Sequence, residues 1–469
     1  MSSHRYATAR PQDVGVDPAG LASLVTAAER AGLDLHSLLV LRYGRVCAET
    51  YWHPYGPDRI QLLYSLSKTF TSSAVGIAIA EGRFDLDDLV VDLLPGRDRY
   101  GLGAGMDRVR VRHLLSMASG HADDTIGAML SRSDAVAAVL AEPLAAEPGA
   151  LFTYNQGCTY LLSAVIAEHT GSQLHDYLRP RLFDPLGIGE ITWRQTGGLD
   201  QGFSGLHART RDIAALGQLY LDHGRVGDTQ VLPAEWVRDA TRSHVDNAGR
   251  QEHPDWQQGY GFQLWRCRPD CFRGDGAFGQ FMIVVPWADL VIATTAQTEQ
   301  MQELADLFWT HLLPAVDATA NRQDHQPAAP DPGPARAWSP EDLAVPPPPP
   351  ATITPPAGTQ SFVVDGDEPY LPVSRIDTRA GGAATTVTVT LRTGEHLDLD
   401  VGPAWTGAGW HRLAEAHRPS RTLTNVQVAG GWSAPTRFDF DVIFINAPHR
   451  LSVHCDSGRA RLRWWTVPL

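Results

Sequence analysis

Lysine is nearly missing from this chain: Lys68 is the only one, although Lys and Arg together number 39. Either side chain can serve as a solvated surface charge. Arginine cannot lose its proton near neutral pH, however, whereas a lysine with a depressed pKa can. Lys68 is therefore a candidate for proton-transfer chemistry. The alternative is a lysine retained by chance, and the residues around it decide between the two.

Long apolar runs and positive charge are also scarce. No apolar run approaches the roughly 18 residues that a membrane helix needs, and the first thirty residues lack the continuous apolar core of a secretory signal. We therefore expect a cytoplasmic protein that does not bind a membrane. The net charge of -14 argues against a nucleic-acid partner, because such a surface needs a basic face to neutralise phosphates.

Cysteine is sparse as well, with five residues scattered along the chain. A chain of this length can form a stable core without disulfide bonds, so this pattern does not indicate a disulfide framework. Cys267 and Cys271 lie close in sequence, but no His or Cys at metal-ligand spacing stands near them. We expect two unpaired thiols in or beside a hairpin, and neither a metal nor another cofactor.

The order of hydrophobic patterns predicts an α+β fold. Residues 37–53 are typical of a β-hairpin that turns at Tyr43-Gly44, and Ser67 to Glu81 are typical of a buried helix that stops at Gly82. The region from about 80 to 255 is mainly helical. Further strand patterns follow at 259–267, 278–285 and 290–295. This order suits one antiparallel sheet built from both ends of the segment and flanked by helices, with a mainly helical insertion and a site between the layers.

At 469 residues the chain should form more than one domain, because a single hydrophobic core stops growing before that length. We predict a larger domain over residues 1–322. Residues 323–357 are rich in Pro and Ala and predict an extended linker. Residues 358–469 alternate polar and apolar positions, with turns every eight to twelve residues, which predicts a small accessory β-sandwich or β-barrel.

The segment Ser65-Leu66-Ser67-Lys68 places a hydroxyl and an amine three positions apart. On a helix both would project from one face, one turn apart. A serine hydroxyl is a poor nucleophile until a neighbour removes its proton, and a desolvated lysine can do so. The backbone N–H of Ser65 at the helix start could also stabilise an oxyanion. A serine falls three residues before the only lysine by chance roughly one time in twenty.

The stretch YSLSKTFTSSAVGIAIAEGRFDLDDLV resembles the nucleophile helix of serine β-lactamases, penicillin-binding proteins and their esterase relatives, with class C β-lactamase-like hydrolases the nearest group. VRHLLSMASG at 111–120 and EPGALFTYNQGCTYLLSAVI at 147–166 resemble two further segments of these proteins. The resemblance covers roughly residues 15–320 and implies a β-lactamase/transpeptidase-like fold there. It does not extend to the β-rich C-terminal part.

The resemblance assigns a second motif to Tyr154-Asn155-Gln156. In the family this motif is Tyr-x-Asn, in which the tyrosine hydroxyl moves a proton beside the nucleophile and the amide helps to hold the acyl group. Tyr154 matches the tyrosine. Gln156 replaces the asparagine and keeps the amide, one methylene further from the backbone. The resemblance therefore implies catalysis by Tyr154 and substrate binding by Gln156.

The third motif of the family, Lys-Thr-Gly on an edge strand, aligns with Gly274, Asp275 and Gly276. The cation that would engage a β-lactam carboxylate is missing, which argues against a true β-lactamase. The backbone N–H of Ala277 falls at the second oxyanion donor. We therefore take residues 274–276 as candidate substrate contacts. Asp275 either orients a cationic or hydroxylated group or caps a turn, and Arg273 is an alternative replacement cation.

Together these residues predict a serine hydrolase or acyltransferase with an acyl-Ser65 intermediate. The substrate would be a small-molecule ester, amide or peptide-like compound, and we favour an esterase or amidase. One alternative is a biosynthetic transacylase that uses an alcohol or amine acceptor. Another is a binding or sensory module that is acylated but deacylates poorly. The sequence is also compatible with a homo-oligomer.

Overall fold

The computed structural model describes residues 6–318, 337–340, 343–348, 352–366, 371–381, 384–413 and 422–468. Its α-helices are α1 (Pro18–Ala31), α2 (Ser67–Ala80), α3 (Val90–Leu93), α4 (Val111–Leu115), α5 (Ile126–Ser131), α6 (Ala135–Leu140), α7 (Gln156–Thr170), α8 (Leu174–Leu178), α9 (Asp184–Leu186), α10 (Thr210–Leu221), α11 (Ala234–Thr241) and α12 (Met301–Leu307). Within these ranges, no helix combines the length and the apolar character needed to cross a membrane.

The strands fall into two groups along the chain. The first group comprises β1 (Asp34–Arg42), β2 (Arg45–Tyr51), β3 (Gln61–Leu62), β4 (Thr192–Trp193), β5 (Gln195–Thr196), β6 (Leu199–Asp200), β7 (Leu206–Ala208), β8 (Arg225–Val226), β9 (Thr229–Gln230), β10 (Trp265–Cys267), β11 (Cys271–Gly276), β12 (Gln280–Val285) and β13 (Leu290–Gln297). The second group comprises β14 (Thr359–Val364), β15 (Val373–Gly381), β16 (Ala384–Leu391), β17 (His396–Val401), β18 (Thr406–Leu413), β19 (Thr422–Ala434), β20 (Arg437–Phe444), β21 (His449–Asp456) and β22 (Arg459–Trp464).

An antiparallel sheet in the order β10-β11-β12-β13-β1-β2 forms the base of the first part of the chain. The β1–β2 hairpin turns at Tyr43 and Gly44, whose φ angles are 53° and 71°. Two central residues with positive φ give a two-residue turn the twist that matches its strands. The prediction of one sheet built from both ends of the segment is confirmed.

Helices cover this sheet on both faces. Strands β12 and β13 are buried along their whole length, so neither face is left open to water. Helix α10 packs against β1, β12 and β13, and α1 packs against β1. The predicted α+β arrangement, with helices α3 to α11 inserted between β2 and β10, is confirmed.

The predicted strand at 259–267 is wrong in its first half. Residues 259–264 do not form a regular strand, because Tyr260 makes only isolated bridges, to Val245 and Trp265. The chain bends after it, with Gln263 at a φ of 62° and the N–H of Gly261 bonded to the carbonyl of Leu264 at 2.7 Å. Strand β10 therefore begins only at Trp265. The Gln263 amide donates to the carbonyls of residues 114 and 115, which is a tertiary contact that apolar periodicity does not register.

Helix α2 lies at the centre of the first part of the chain and is buried from Ser67 to Ala78. Its hydroxyl side chains satisfy backbone carbonyls instead of water, as a buried polar group must. Ser67 donates to the carbonyl of Tyr64 at 2.6 Å, and Ser72 donates to the carbonyl of Phe262 at 2.7 Å. The first bond closes the turn that leads into α2, and the second ties α2 to the segment that precedes β10.

The second group of strands forms one nine-stranded sheet in the order β17-β16-β15-β14-β22-β21-β20-β19-β18. The pair β14–β22 is parallel, and the other neighbours are antiparallel. Strand β16 alternates strictly, with Val387, Val389 and Leu391 buried in the shared apolar interior. The sequence pattern was compatible with either a β-sandwich or a β-barrel. The structure has a single continuous sheet around one core, which is barrel-like.

Much of the predicted linker at 323–357 lies outside the described residues. Two described pieces of it run along the free edge of β2. The N–H of Trp338 donates to the carbonyl of Cys47 at 2.8 Å, and the N–H of Val345 donates to the carbonyl of His53 at 2.8 Å. The predicted boundaries of the domains and of the linker stay predictions.

Candidate active site

Ser65 and Lys68 meet at the start of helix α2. Ser65 lies in the 3₁₀ turn Tyr64–Leu66, which leads directly into the helix. The Lys68 Nζ is 3.0 Å from the Ser65 Oγ. The helical spacing thus brings the predicted pair together.

The environment of Lys68 is dry and offers it carbonyl acceptors. The side chain is 1% exposed. Its Nζ donates to the Gln156 Oε1 at 2.6 Å and to the Phe203 carbonyl at 2.9 Å. Carbonyl oxygens can only accept hydrogen bonds, so a neutral amine must donate both of its N–H groups to these two oxygens. Its lone pair is then directed at the Ser65 hydroxyl, the arrangement that a general base requires.

Burial also favours the neutral amine. It lowers the pKa of Lys68 to about 7, while the carboxylates of Asp124 and Asp275 partly oppose this shift. Desolvation disfavours the charged form of an amine, so the buried Lys68 side chain favours its uncharged form. A substantial fraction of Lys68 is therefore available as a base near neutral pH.

Tyr154 lies beside the same pair. Its ring centroid is 4.7 Å from the Lys68 Nζ, and it stacks on Trp265 at 5.2 Å. Burial raises the pKa of Tyr154 well above its usual value of 10, with a hydrogen bond to Ser65 acting in the opposite direction. Tyr154 is therefore protonated near neutral pH and can relay a proton, but it cannot act as the resting base.

Asp124 is a residue of the site that the sequence analysis did not identify. Its Oδ1 accepts from the N–H of Gln156 at 2.9 Å and from that of Ile126 at 3.0 Å. It therefore holds the beginning of α7, which carries Gln156 to Lys68. Its partner is 32 residues away, and no local pattern indicates such a contact.

Gly274 and Gly276 serve close packing in the structure. A Cβ on Gly274 would lie 2.4 Å from the Thr69 Oγ1, and one on Gly276 would lie 1.9 Å from the Leu63 carbonyl oxygen. Both residues pack tightly against the segment around Ser65. The family's lysine would not fit at Gly274 without displacing the side chains of Leu66 and Thr69.

Arg273 lies behind Asp275 and is fully buried. Its Nε donates to the Asp275 Oδ2 at 3.0 Å, and its guanidinium lies over the Trp256 ring at 4.2 Å. Burial raises the pKa of Asp275, and the Arg273 charge opposes that shift. Arg273 is thus committed to Asp275 and is not among the residues that line the cleft.

Five of the predicted residues line one cleft of about 710 Å³: Ser65, Tyr154, Gln156, Asp275 and Ala277. The rest of its wall includes residues 249–253, Trp256, Trp265, Glu299 and Met301. The cleft therefore unites the candidate nucleophile, the candidate proton relay and the second oxyanion candidate. Across the described ranges, no three His, Cys, Asp or Glu residues are grouped to hold a metal. Cys267 and Cys271 face each other across the β10–β11 hairpin as free thiols, with their Sγ atoms 3.4 Å apart.

The Beta-lactamase family model matches residues 25–316, and the chain belongs to this family. A 6-aminohexanoate-dimer hydrolase of Paenarthrobacter ureafaciens is 27% identical over an alignment of 283 residues, and the match covers 55% of this chain and 71% of that protein. The resemblance found in the nucleophile segment is confirmed.

Solved structures show the same fold. The hydrolase EstCE1, described as having promiscuous acyltransferase activity, aligns with a TM-score of 0.53 at 16% identity, over 64% of this chain and 99% of that chain. The octameric penicillin-binding protein homologue of Pyrococcus abyssi aligns with a TM-score of 0.52 at 14% identity, over 91% of this chain and 97% of that chain. The second alignment extends into the C-terminal β-region.

The pKa of Lys68 gives the site a pH dependence of defined sign. We expect the neutral amine to act as the base, so phosphonylation of Ser65 by a fluorophosphonate should speed up as the pH rises and level off above about 7. The measurement is the second-order labelling rate from about pH 5 to 9. Lys68→Arg should lower this rate by about 10²- to 10⁴-fold, because arginine stays protonated. A labelling rate that is independent of pH, or one that rises only above about pH 9, would contradict this assignment.

Proposed function

We propose that this protein is an acyl-serine hydrolase that cleaves small ester or amide substrates through Ser65. The observation that carries the proposal is the geometry of Lys68. Its Nζ is 3.0 Å from the Ser65 Oγ while two carbonyl oxygens hold its N–H groups. A buried amine poised in this way is a general base for a serine nucleophile.

Acylation would begin when Lys68 takes the proton of Ser65 and the Oγ attacks the substrate carbonyl carbon. The carbonyl oxygen becomes an oxyanion, which the backbone N–H groups of Ser65 and Ala277 are proposed to stabilise. Tyr154 would pass its hydroxyl proton to the departing alcohol or amine and regain one from the protonated Lys68. The carbon–heteroatom bond then breaks and leaves the acyl group on Ser65.

Deacylation would reverse the direction of the proton transfers. Water attacks the acyl carbonyl carbon while its proton passes to the neutral Lys68, either directly or through Tyr154, which gives up its own proton as it accepts one. Lys68 then returns the proton to the Ser65 Oγ, the bond between the Oγ and the acyl carbon breaks, and the carboxylic acid is released. An alcohol or amine in place of water would complete an acyl transfer with the same residues. The similar hydrolase EstCE1 is described as having acyltransferase activity, so we keep transfer as the second candidate.

The charges around the cleft favour neutral or cationic substrates. The carboxylates of Glu252, Asp275 and Glu299 line it, against one guanidinium, that of Arg250. Asp275 shares its charge with the buried Arg273, so the excess of negative charge comes from the two glutamates. A substrate carboxylate would meet repulsion there, and Gly274 supplies no cation to bind it. This is why we propose esters and amides in place of β-lactams.

Turnover tests the proposed activity. Hydrolysis of p-nitrophenyl acetate should be readily measured for the wild type and should fall at least about 10³-fold in Ser65→Ala, since the remaining site only binds and polarises the substrate. Ser131→Ala, the same change on an exposed helix, should have no effect. A penicillin should be cleaved far more slowly than the ester. Full activity in Ser65→Ala would refute the mechanism, and a stoichiometric burst without turnover would favour the acyl-binding module.

Substrate charge provides a separate test. Three p-nitrophenyl esters of equal chain length, ending in trimethylammonium, methyl or carboxylate, should be compared by kcat/KM at low salt. We expect the cationic ester to exceed the anionic one about tenfold, with the difference shrinking as salt screens the cleft. Glu299→Gln should reduce the ratio of kcat/KM between the cationic and the anionic ester, whereas Glu235→Gln on the exposed face of α11 should leave this ratio unchanged. A preference for the carboxylate ester would contradict the charge argument.

A further inference from the structure

The C-terminal β-region reaches the residue that precedes the nucleophile. The Tyr64 hydroxyl and the His449 Nε2 lie 2.7 Å apart, and both side chains are buried. Tyr64 is joined to Ser65 by one peptide bond. A residue of the second sheet thus touches the backbone segment that supplies the first oxyanion donor.

His449 also touches the residue after the second oxyanion candidate. The Phe278 ring lies 5.6 Å from the His449 ring and 5.4 Å from the Tyr64 ring, and both pairs are edge-to-face. Phe278 directly follows Ala277 in the chain. One imidazole is therefore shared by the neighbours of both proposed oxyanion donors, Ser65 and Ala277.

Both neighbours have an unfavourable backbone conformation. Tyr64 has a φ of 47° and Phe278 a φ of 69°. Non-glycine residues in the left-handed region are strained and persist only where the surrounding structure holds them. In both cases the aromatic side chain packs on His449, so the second sheet supplies part of that support.

The hydrogen-bond directions around His449 are consistent with a single tautomer. The Thr466 hydroxyl donates to the Pro448 carbonyl at 2.8 Å, so its oxygen accepts from the His449 Nδ1–H at 3.1 Å. The Nε2 is then an acceptor and the Tyr64 hydroxyl is the donor. Burial lowers the pKa of His449 to about 3, so this neutral form holds throughout the range in which Lys68 titrates.

Backbone contacts support the same segment. The N–H of Leu62 donates to the carbonyl of Asn446 at 2.8 Å, and the Asn446 side-chain amide donates to the carbonyl of Ile60 at 2.8 Å. Strand β3 is thereby held between β7 on one side and the turn before β21 on the other. The chain that enters the nucleophile turn is fixed on both edges.

We infer that His449 is a positioning residue for the reaction: through Tyr64 and Phe278 it holds the backbone N–H groups of Ser65 and Ala277 in the geometry that binds the oxyanion. The inference rests on the proposed function. It assigns the C-terminal β-region a direct part in transition-state stabilisation, beyond an accessory role. Loss of a whole oxyanion donor lowers kcat about 10²- to 10³-fold. A displacement of both donors should therefore lower kcat measurably, but by less than such a loss.

The experiment compares variants of the full chain. His449→Phe keeps a ring but removes the acceptor, His449→Gln keeps an acceptor, and Tyr64→Phe removes the donor. For each we would measure kcat and KM with p-nitrophenyl acetate per site titrated by a fluorophosphonate. We would also measure inhibition by phenylboronic acid, whose tetrahedral adduct on serine places an oxygen at the oxyanion position.

We expect His449→Phe to lower kcat about tenfold with KM within about twofold, and to raise the boronate inhibition constant in parallel. His449→Gln should recover most of kcat. Tyr64→Phe should match His449→Phe, and the double variant should be no worse than either, because both remove the same hydrogen bond. Trp405→Phe is the control, since it removes another hydrogen bond of the β-region, to the Val345 carbonyl, and should leave kcat unchanged.

The outcomes separate this inference from the proposed function. A wild type that no fluorophosphonate labels would refute the proposed function itself. A labelled wild type with His449→Phe at the wild-type kcat per titrated site would overturn the positioning role. An equal loss in Trp405→Phe, or a loss only in the number of titratable sites, would reduce His449 to a stabilising contact and overturn the inference as well.

Discussion

The burial of one amine is the constraint on which the rest of the site depends. Lys68 is 1% exposed, and a buried ammonium without full compensation is costly. The protein resolves this by lowering the pKa of Lys68 to about 7 and by giving its N–H bonds two carbonyl acceptors. These acceptors are the Gln156 side chain and the Phe203 backbone. In the proposed mechanism, the burial that disfavours the charge is also what makes the amine a base for Ser65.

A second requirement is a rigid backbone around the nucleophile. Two backbone N–H groups can bind an oxyanion only if the chain around them is fixed before the reaction. The glycines of β11 allow its backbone to approach within contact distance of Leu63 and Thr69. The left-handed residues Tyr64 and Phe278 then give the turns their direction. We infer that the contact with His449 supplies part of the support that these features need.

Local patterns predicted more of this protein than long-range contacts did. The β1–β2 turn at residues 43–44 and the pairing of Ser65 with Lys68 follow from spacing over a few residues, and the structure has both. Tyr154 needed the family resemblance, because a single tyrosine has no distinctive neighbourhood. The Phe203 carbonyl had no signal, since any residue can supply a carbonyl. His449 lies 385 residues from its partner, so only the folded chain reveals the contact.

The measurement that tests the central claim most directly is intact-protein mass spectrometry after exposure to a fluorophosphonate, p-nitrophenyl acetate and a penicillin in separate samples. Wild type and Ser65→Ala should be compared under the same conditions. The account predicts one phosphonyl adduct on the wild type, none on the variant, and a transient acetyl adduct that disappears as the ester is consumed. A folded wild type that forms no adduct with any of the three, or an equal adduct on Ser65→Ala, would contradict the assignment of Ser65 as a nucleophile activated by Lys68.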